Sequence, residues 1–301
     1  MRFINKLNID FIGKRYIFFA TTLLMLGFSV VAFIIRGGPI LSIEFTGGTM
    51  VQISFKELPP IEKIRSSLNS NGWQGFGLQT QPVNQSIVVR IKKGEKSQED
   101  ISNELITALK KDFSGNVKDI PDRVEFVGSV IGKGIVLNTI WALLGSFIGI
   151  IIYVAFRFKN WIWGFAGVIA LVHDVLITWG LLTFLKAETT LVVIAALLTL
   201  VGYSINDTIV VFDRVRENIR TSRKESIKDL YNRSINETMT RTINTSMTVF
   251  LASLSLLFLG GVVLHDFAVA FSFGVLVGTY SSVGVALSLV YELERIKQKH
   301  E

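Results

Sequence analysis

Residues 16–35 read YIFFATTLLMLGFSVVAFII and contain no charged side chain. Since a hydrocarbon core about 30 Å thick is crossed by roughly 20 helical residues, this run predicts a membrane-spanning helix. Five more stretches have similar length and apolar character, although two of them each carry one Asp. They are Gly134–Phe156, Trp161–Leu185, Thr189–Phe212, Thr242–Leu264 and Phe267–Tyr291. The sequence therefore predicts an α-helical integral membrane protein with six transmembrane helices.

The composition excludes several classes of function. Hydrophobic residues make up 50% of the chain and the mean hydropathy is +0.47, which is too apolar for an ordinary soluble enzyme. No Cys is present, so disulfides and thiol chemistry are excluded. The three His are too dispersed for a metal site, which needs three or four converging ligands. No nucleophile–base pair is recognisable either, so we predict a protein that is not an enzyme and holds no metal or cofactor.

Basic residues are concentrated in alternate connections between the predicted spans. Because cytoplasmic connections of membrane proteins carry an excess of Lys and Arg, this pattern explains the net charge of +7 better than nucleic-acid binding does. It places residues 1–15 and the tail 292–301 in the cytoplasm. The segment 213–241 between the fourth and fifth spans is especially basic and has apolar residues at helical spacing. It predicts a cytoplasmic loop whose helices lie on anionic membrane lipids.

The segment 36–133, between the first two spans, is predicted to form a soluble domain on the opposite, periplasmic side. Its hydrophobic pattern changes from continuous to alternating, which is typical of strands. The expected elements are a strand at Ser42–Phe55, a helix at Pro59–Asn69, strands at Gly77–Val83 and Ser86–Lys92, a helix at Ser97–Asp112 and a strand at Asp122–Val127. This β–α–β–β–α–β order is that of a small α+β ferredoxin-like domain.

Glycines stand at two informative places in this domain. Gly47 and Gly48 predict a bulge or bend within the first strand, and Gly128 and Gly132 stand where the domain meets the second span. A glycine at a domain boundary acts either as a hinge or simply as part of a turn, and the sequence leaves both readings open.

The fourth and fifth spans bring opposite charges to the same side of the membrane. Asp207 lies in the cytoplasmic half of the fourth span, and Arg241 opens the fifth. An Asp near the centre of a span costs roughly 2.5–3.5 kcal/mol to insert, so such residues usually face the bundle interior. Antiparallel neighbours would bring the two to within about 10 Å in depth, a gap that an Arg stem can close. The pair predicts either a proton pathway or a structural ion pair.

Further polar residues extend this candidate site. Asp174 lies midway along the third span, directly after His173, and Asn206 precedes Asp207 in an unusually polar part of the fourth span. A buried His–Asp pair acts either as a proton relay or as a hydrogen-bonded packing element, and spacing does not separate the two. The candidate proton pathway therefore comprises Asp207, Arg241, Asp174, Asn206 and His173.

Residues 202–214, GYSINDTIVVFDR, followed by Arg216-Glu217-Asn218, resemble the fourth-span signature of the SecD/SecF family of bacterial protein-export membrane proteins, within the resistance–nodulation–division superfamily. The resemblance covers nearly the whole chain. DFIGKR at 10–15 matches the family's entry to the first span, and FTGGT at 45–49 matches the start of its outer domain. Two departures are Glu44, where the family usually has Asp, and the absence of a common Pro at 127–132, which predicts a more flexible hinge.

The resemblance implies both an architecture and a function. The six spans would be one half of a twelve-helix unit whose other half is SecD. The chain would lie in the bacterial inner membrane and use the proton-motive force, with SecD, to promote preprotein translocation through SecYEG. YajC and YidC are further candidate partners. By resemblance, Asp207 and Arg241 occupy positions assigned to the proton path; protons are the expected coupling ion, and Na⁺ remains open.

Two other functional classes compete with this expectation. A small-molecule exporter of the same superfamily needs a larger outer domain with a substrate cleft than the segment 36–133 provides. A non-transporting assembly scaffold would use Asp207 and Arg241 only to hold helices together. Loss of function on neutralising either residue alone would favour the proton path over the scaffold.

Overall fold

A computed structural model of the protein describes residues 8–81, 84–91, 97–222 and 225–300. Within these ranges, the side chains of residues 81, 129–131, 262–263 and 298–300 are not described. The chain divides into two compact units. Leu41–Ile140 form one, which contains most of the predicted soluble domain, and the residues before and after this range form the other.

Six helices of the described chain are long and apolar enough to cross a membrane, which confirms the predicted number. In chain order the elements are α1 (Arg15–Arg36), β1 (Ile40–Leu41), α2 (Ile43–Thr46), β2 (Gly48–Ser54), α3 (Ile61–Ser70), β3 (Gly77–Gln81), β4 (Ser86–Ile91), α4 (Gln98–Asp112), β5 (Arg123–Val127), α5 (Ser129–Phe158), α6 (Trp161–Phe184), β6 (Glu188–Thr189), α7 (Leu191–Thr221), α8 (Ile227–Leu259), α9 (Gly261–Ser281), a π-helical segment (Ser282–Ala286) and α10 (Leu287–His300). The sixth span consists of α9, the π-helical segment and α10.

The interior of the membrane bundle is built by α6, α7 and the sixth span, which are largely buried, whereas α1, α5 and the apolar half of α8 are mostly exposed. Small residues allow the close approach. A Cβ at Gly164 of α6 would lie 3.0 Å from the carbonyl oxygen of Ile151, and one at Gly278 of α9 would lie 3.1 Å from Ser204. Gly164 of the third span and Gly278 of the sixth therefore allow close packing within the chain's own bundle.

The segment 213–241 is not a loop with helices lying on the lipid surface, as predicted, but the continuation of two spans. α7 runs to Thr221 and α8 begins at Ile227. The two extensions are joined by polar contacts: Asn218 Nδ2 donates to Ser234 Oγ (2.9 Å), and Arg214 Nε donates to Glu237 Oε2 (2.6 Å). Basic side chains are thus paired across a helical hairpin. The apolar run of the fourth span ends at residue 212 and that of the fifth begins at residue 242. The hydropathy pattern therefore did not indicate that both helices continue between these positions.

The connection between the fifth and sixth spans also differs from the prediction. α8 ends at Leu259 and α9 begins at Gly261, whereas the sequence predicted Leu264 and Phe267. Gly261 has a φ of 70°, a left-handed conformation that turns the chain immediately after α8. The apolar residues 262–264 consequently belong to the sixth span.

The unit Leu41–Ile140 contains an antiparallel four-stranded sheet in the order β3–β4–β2–β5. At the level of Val51 in β2, the neighbours are Val89 of β4 and Val124 of β5. Apolar side chains of the sheet pack against α3 and α4 in one core, whose fully buried members are Val51, Ile53, Ile64, Leu68, Ile87, Val89, Leu105 and Leu109. The β–α–β–β–α–β order is as predicted, and the ferredoxin-like topology stays a prediction with which this strand order agrees.

The first predicted strand, Ser42–Phe55, is wrong in its first half. Ile43–Thr46 form the short helix α2, and β2 begins only at Gly48. Gly47 and Gly48 have φ values of 71° and 134°, which side chains rarely allow, so the chain turns there between helix and strand. The ends predicted at Val83 and Lys92 for two later strands lie outside the described residues.

Residues 8–14, which we call the N-terminal strap, lie along the beginning of α8. Asn232 and Asn236, one helical turn apart, bind its backbone. Ile12 N donates to Asn232 Oδ1 (2.8 Å) and Ile9 N donates to Asn236 Oδ1 (3.0 Å). Arg15, which follows the strap, forms an ion pair with Glu292 of α10. The two terminal segments therefore meet the α7–α8 hairpin at one end of the bundle, which we call the terminal end.

The strap should be held less firmly in acid. The amide of Gly13 donates to the Asp10 carboxylate (2.7 Å), as does Lys228 Nζ (3.1 Å), and these contacts hold the pKa of Asp10 below its ordinary 3.8. A lowered folded-state pKa stabilises docking above the ordinary pKa, and this contribution disappears as the pH falls through the lowered value. Hydrogen exchange of residues 8–14, corrected for intrinsic rates, should be constant from pH 8 to 5 and accelerate below about pH 4. Asp10→Asn should abolish this acid step; an unchanged step would assign it to another group.

Candidate functional site

Asp207 is a buried carboxylate surrounded by hydroxyl groups. It lies on α7 and is 2% exposed. From α8, the Thr245 hydroxyl donates to its Oδ1 (3.3 Å) and the Ser246 hydroxyl donates to its Oδ2 (3.4 Å). Both contacts are longer than the usual O–H···O distance of about 2.7–2.8 Å. Within the described ranges no cation forms an ion pair with this carboxylate, which is held loosely by two neutral donors.

Ser246 connects Asp207 to two further hydroxyl groups. Tyr203, one turn before Asp207 on α7, donates its OH to Ser246 Oγ (2.8 Å), and Thr279 Oγ1 of α9 donates to the same oxygen (2.7 Å). Hydroxyls from three helices thus form a continuous hydrogen-bonded chain that ends on the carboxylate. Because a hydroxyl both donates and accepts and can rotate, such a chain can move a proton to or from Asp207.

Arg241 does not form the direct contact with Asp207 that the sequence predicted. Its side chain is exposed, and no ion pair joins it to Asp207 in the part of the chain that the structure describes. Thr245, one helical turn further along α8, takes the place beside the carboxylate, and its hydroxyl also donates to the Arg241 carbonyl oxygen (3.0 Å). The direct contact between Asp207 and Arg241 that a structural ion pair requires is therefore not formed in the described structure.

Asn206 is exposed and stands apart from the hydroxyl cluster, with no side-chain hydrogen bond to any described residue. It shares its face of α7 with other small or polar residues, and the adjacent face of α8 is also polar and exposed. We call this surface the outer polar face. Its members are Thr199, Gly202 and Asn206 of α7 and Arg241, Asn244 and Thr248 of α8.

Asp174 forms a second, fully buried cluster. Its Oδ1 lies 2.9 Å from His173 Nδ1, and its Oδ2 accepts hydrogen bonds from Ser204 Oγ of α7 (2.6 Å) and Ser281 Oγ of α9 (2.8 Å). The carboxylate thus links α6, α7 and α9 in the bundle interior. Its hydrogen bonds are shorter than those around Asp207, so this is the tighter of the two sites.

His173 satisfies only one of its ring nitrogens. Nδ1 meets Asp174, but Nε2 is buried and has no partner among the described residues. The ring stacks on Tyr280, with 6.3 Å between the ring centroids. Tyr280 in turn donates its OH to the carbonyl oxygen of Phe18 in α1 (2.8 Å). The predicted His173–Asp174 pair therefore exists, and the structure permits both a relay and a packing role.

Several of the hydroxyl groups that define both sites could not be predicted from the sequence. Ser246 and Thr279 at Asp207, and Ser281 at Asp174, were not singled out, because Ser and Thr are common in membrane helices and carry no signal by themselves. Ser281 stands directly before the π-helical segment. Segments of this kind are rare and are frequent at functional sites, but a sequence pattern does not reveal them.

The four glycines predicted as motif or hinge residues all lie in or beside secondary structure of the unit Leu41–Ile140. Gly47 and Gly48 form the turn before β2, and Gly128 separates β5 from α5. Gly132 lies inside α5, where a Cβ would come within 2.8 Å of the carbonyl oxygen of Phe45. Its small size thus has a packing explanation, and the hinge assignment stays a prediction.

The chain was compared with known families and solved structures. A family model described as protein export membrane protein SecD/SecF, C-terminal, matches residues 105–296. A protein translocase subunit SecF from Endomicrobium trichonymphae is 39% identical over 97% of this chain and 93% of its own length. One from Calditerrivibrio nitroreducens is 39% identical over 98% of this chain and 97% of its own length.

Solved structures agree with the sequence matches. The crystal structure of SecDF from Thermus thermophilus, a translocon-associated membrane protein, superimposes with a TM-score of 0.85 at 36% identity. The match covers 96% of this chain and 39% of the SecDF chain. SecDF in a super-membrane-facing form gives a TM-score of 0.70, also at 36% identity, over 99% of this chain and 40% of that one. The present chain thus spans about two fifths of SecDF. By these matches, it belongs to the SecD/SecF family of protein-export membrane proteins.

Proposed function

We propose that this membrane protein is a non-catalytic subunit of the Sec export machinery that works with SecD. It uses the proton-motive force to promote preprotein translocation through SecYEG. The observation that carries the proposal is the hydroxyl-lined Asp207, a buried carboxylate in a membrane helix with no cation partner in the described chain. A group of this kind is costly in a membrane and marks ion or proton pathways. The relatives named as protein translocase subunits support the export role.

Protonation of Asp207 changes which hydrogen bonds its neighbours can make. An ionised carboxylate only accepts, whereas a protonated one also donates through its O–H. Ser246 cannot simply receive this new donor, because its oxygen already accepts from Tyr203 and Thr279. Loading a proton on Oδ2, the oxygen that contacts Ser246, therefore requires one of these donors to turn away. Thr279 can turn toward the Val275 carbonyl oxygen (2.6 Å), which changes a contact between α8 and α9. We propose that this rearrangement is transmitted to the unit Leu41–Ile140, which acts on the preprotein in the periplasm.

Arg241 adjusts the affinity of Asp207 for a proton in this scheme. It carries a fixed positive charge one helical turn before Thr245, which contacts Asp207, and its side chain is exposed on the outer polar face. A change at that face would move the positive charge toward or away from the carboxylate. Arg241 is thus placed to couple proton release to contact with a partner.

The outer polar face is the surface that we assign to SecD. Polar side chains of membrane helices are unfavourable against lipid tails and usually meet other helices. Asn206, Asn244 and Arg241 nevertheless point out of this chain's bundle. The remaining three fifths of the SecDF structures lie outside the match to this chain and would supply the covering helices.

Both termini would lie in the cytoplasm of a bacterial inner membrane, as the distribution of Lys and Arg predicts.

The proposal is tested by preprotein translocation into inside-out membrane vesicles under an imposed proton gradient, comparing the wild type with Asp207→Asn. The variant should keep ATP-driven translocation and co-purification with SecD but lose the gradient-dependent portion, because an amide cannot carry the proton. Asp213→Asn is the matched control: it lies on the same helix, is partly exposed and pairs with Arg157 (3.1 Å). It should behave as wild type.

The same assay separates the competing interpretations. If Asp207→Asn retains the gradient-dependent portion, the proton-carrier role is wrong, and Asp207 serves only to hold helices together as a scaffold would. Repeating the assay with a sodium gradient at constant pH distinguishes the coupling ion. Protons are the ion that we propose, so stimulation by the sodium gradient alone would contradict this choice.

A further inference from the structure

A cavity of about 350 Å³ opens at the terminal end of the bundle. It lies between the beginnings of α6 and α8, the end of α7, and α10. Its volume falls in the range of about 300–1,000 Å³ that is common for small-molecule sites. Its walls are mainly apolar, and the lining residues are Asn160, Ile162, Ile219, Ile227, Leu230, Tyr231, Glu294 and Lys297.

Glu294 is the acidic group of this cavity, and neutral donors hold it in place. Its carboxylate accepts from Tyr231 OH (2.6 Å), Trp163 Nε1 (2.8 Å) and Asn160 Nδ2 (3.4 Å). Tyr231 and Trp163 are almost completely buried, so the carboxylate is rigidly positioned. No cation among the described residues forms an ion pair with it. The cavity therefore presents a fixed carboxylate that a cationic group of a ligand can approach, in a lining that also contains Lys297.

The cavity lies at the depth of the lipid headgroups. The chain passes from α5 to α6 beside it, and this connection carries the charged Arg157 and Lys159 followed by the exposed Trp161. Charged residues and Trp at the end of a span mark the membrane–water interface. The outer walls, Ile219 and Ile227, are about half exposed and offer an apolar surface next to the charge. A ligand with an ammonium group and an attached apolar chain fits both features.

We propose that this cavity binds an aminophospholipid, with the primary ammonium of a phosphatidylethanolamine headgroup on Glu294. Glu294 already accepts from three donors, so only one of the about four lone-pair positions of its carboxylate remains. A primary ammonium can donate an N–H there, whereas the trimethylammonium of phosphatidylcholine has no N–H to donate. The indole N–H of Trp163 and the O–H of Tyr231 already donate to Glu294. The isoleucine walls accommodate the start of the acyl chains.

Native mass spectrometry of the delipidated full-length protein in detergent tests this site. Phosphatidylethanolamine, phosphatidylcholine and phosphatidylglycerol with identical acyl chains are added separately. We expect one molecule of phosphatidylethanolamine to be retained at concentrations where the other two are lost. Glu294→Gln should weaken its retention at least tenfold, and Ile227→Trp, which fills the cavity from an exposed wall position without touching Glu294, should also block it.

The control variant is Glu217→Gln, which removes an exposed carboxylate at the same end of the bundle and should leave retention unchanged. Equal retention of all three lipids would overturn the proposal, since it would show that the ammonium is not recognised. Unchanged retention in both Glu294→Gln and Ile227→Trp would place the lipid elsewhere. Because the readout is lipid binding and not translocation, the result is independent of the role proposed for Asp207.

Discussion

Replacing Asp174 with Ala should lower the free energy of unfolding by roughly 2–4 kcal/mol, because each buried polar group left without a partner costs about 1–3 kcal/mol. The substitution removes the acceptor of the Ser204 hydroxyl and the Nδ1 partner of His173, whose Nε2 already has none among the described residues. Ser281 loses less, since its hydroxyl also reaches the Gly278 carbonyl oxygen (3.3 Å). The destabilisation should therefore arise mainly on α6 and α7.

Asp174→Asn should cost clearly less, because the amide oxygen can still accept from Ser204 or Ser281. The free energy of unfolding is measured by SDS titration of the purified protein, followed by helical circular dichroism. The translocation assay on the same variants then decides the role of the site. If Asp174→Asn retains both stability and the gradient-dependent activity, the His173–Asp174 pair is a packing element. A stable variant that loses this activity would instead make Asp174 a second proton carrier.

The spans could be predicted from the sequence because one physical property, the length of uncharged runs, decides them. The same property made Asp174 and Asp207 conspicuous, since each is a lone charge in an apolar stretch. Their environments could not be predicted. An Arg and an Asp at similar depth suggest a pair, but a shift of one helical turn places Thr245 beside Asp207 instead of Arg241. Approximate depth follows from the sequence, whereas the position of one helix along its neighbour, to within a single turn, depends on packing.

Helix ends outside the membrane were the least predictable feature. The continuation of α7 and α8 through the segment 213–241 depends on contacts between the two extensions, such as Asn218 with Ser234 and Arg214 with Glu237. Residues far apart in sequence make these contacts, and a basic, amphipathic stretch is equally compatible with a helix on the lipid surface. In the unit Leu41–Ile140, the alternation of apolar residues along β2 also extends back through Phe45 and Ile43. The hydrophobic pattern alone therefore could not separate α2 from the strand.

Replacing Gly180 with Ala should lower the free energy of unfolding by about 1–3 kcal/mol, the usual cost of overpacking. Gly180 lies on α6 directly against α1, where an added Cβ would overlap the Cβ and Oγ of Ser29 and lie only 2.7 Å from its Cα. Because the obstacle includes the backbone, a change of rotamer cannot relieve it. Ala is favoured over Gly in a helix by about 1 kcal/mol, so a net loss requires that the overlap outweigh this gain.

The control is Gly27→Ala on α1, where an added Cβ would meet no described heavy atom within 4 Å, so only the helix-propensity gain should appear. The same SDS titration applies to both variants. Adding Ser29→Gly to Gly180→Ala removes the opposing side chain and should recover part of the loss, as a double-mutant cycle measures. An equal effect of Gly180→Ala and Gly27→Ala would contradict the prediction. It would mean that α1 can shift on α6 enough to accommodate the added Cβ.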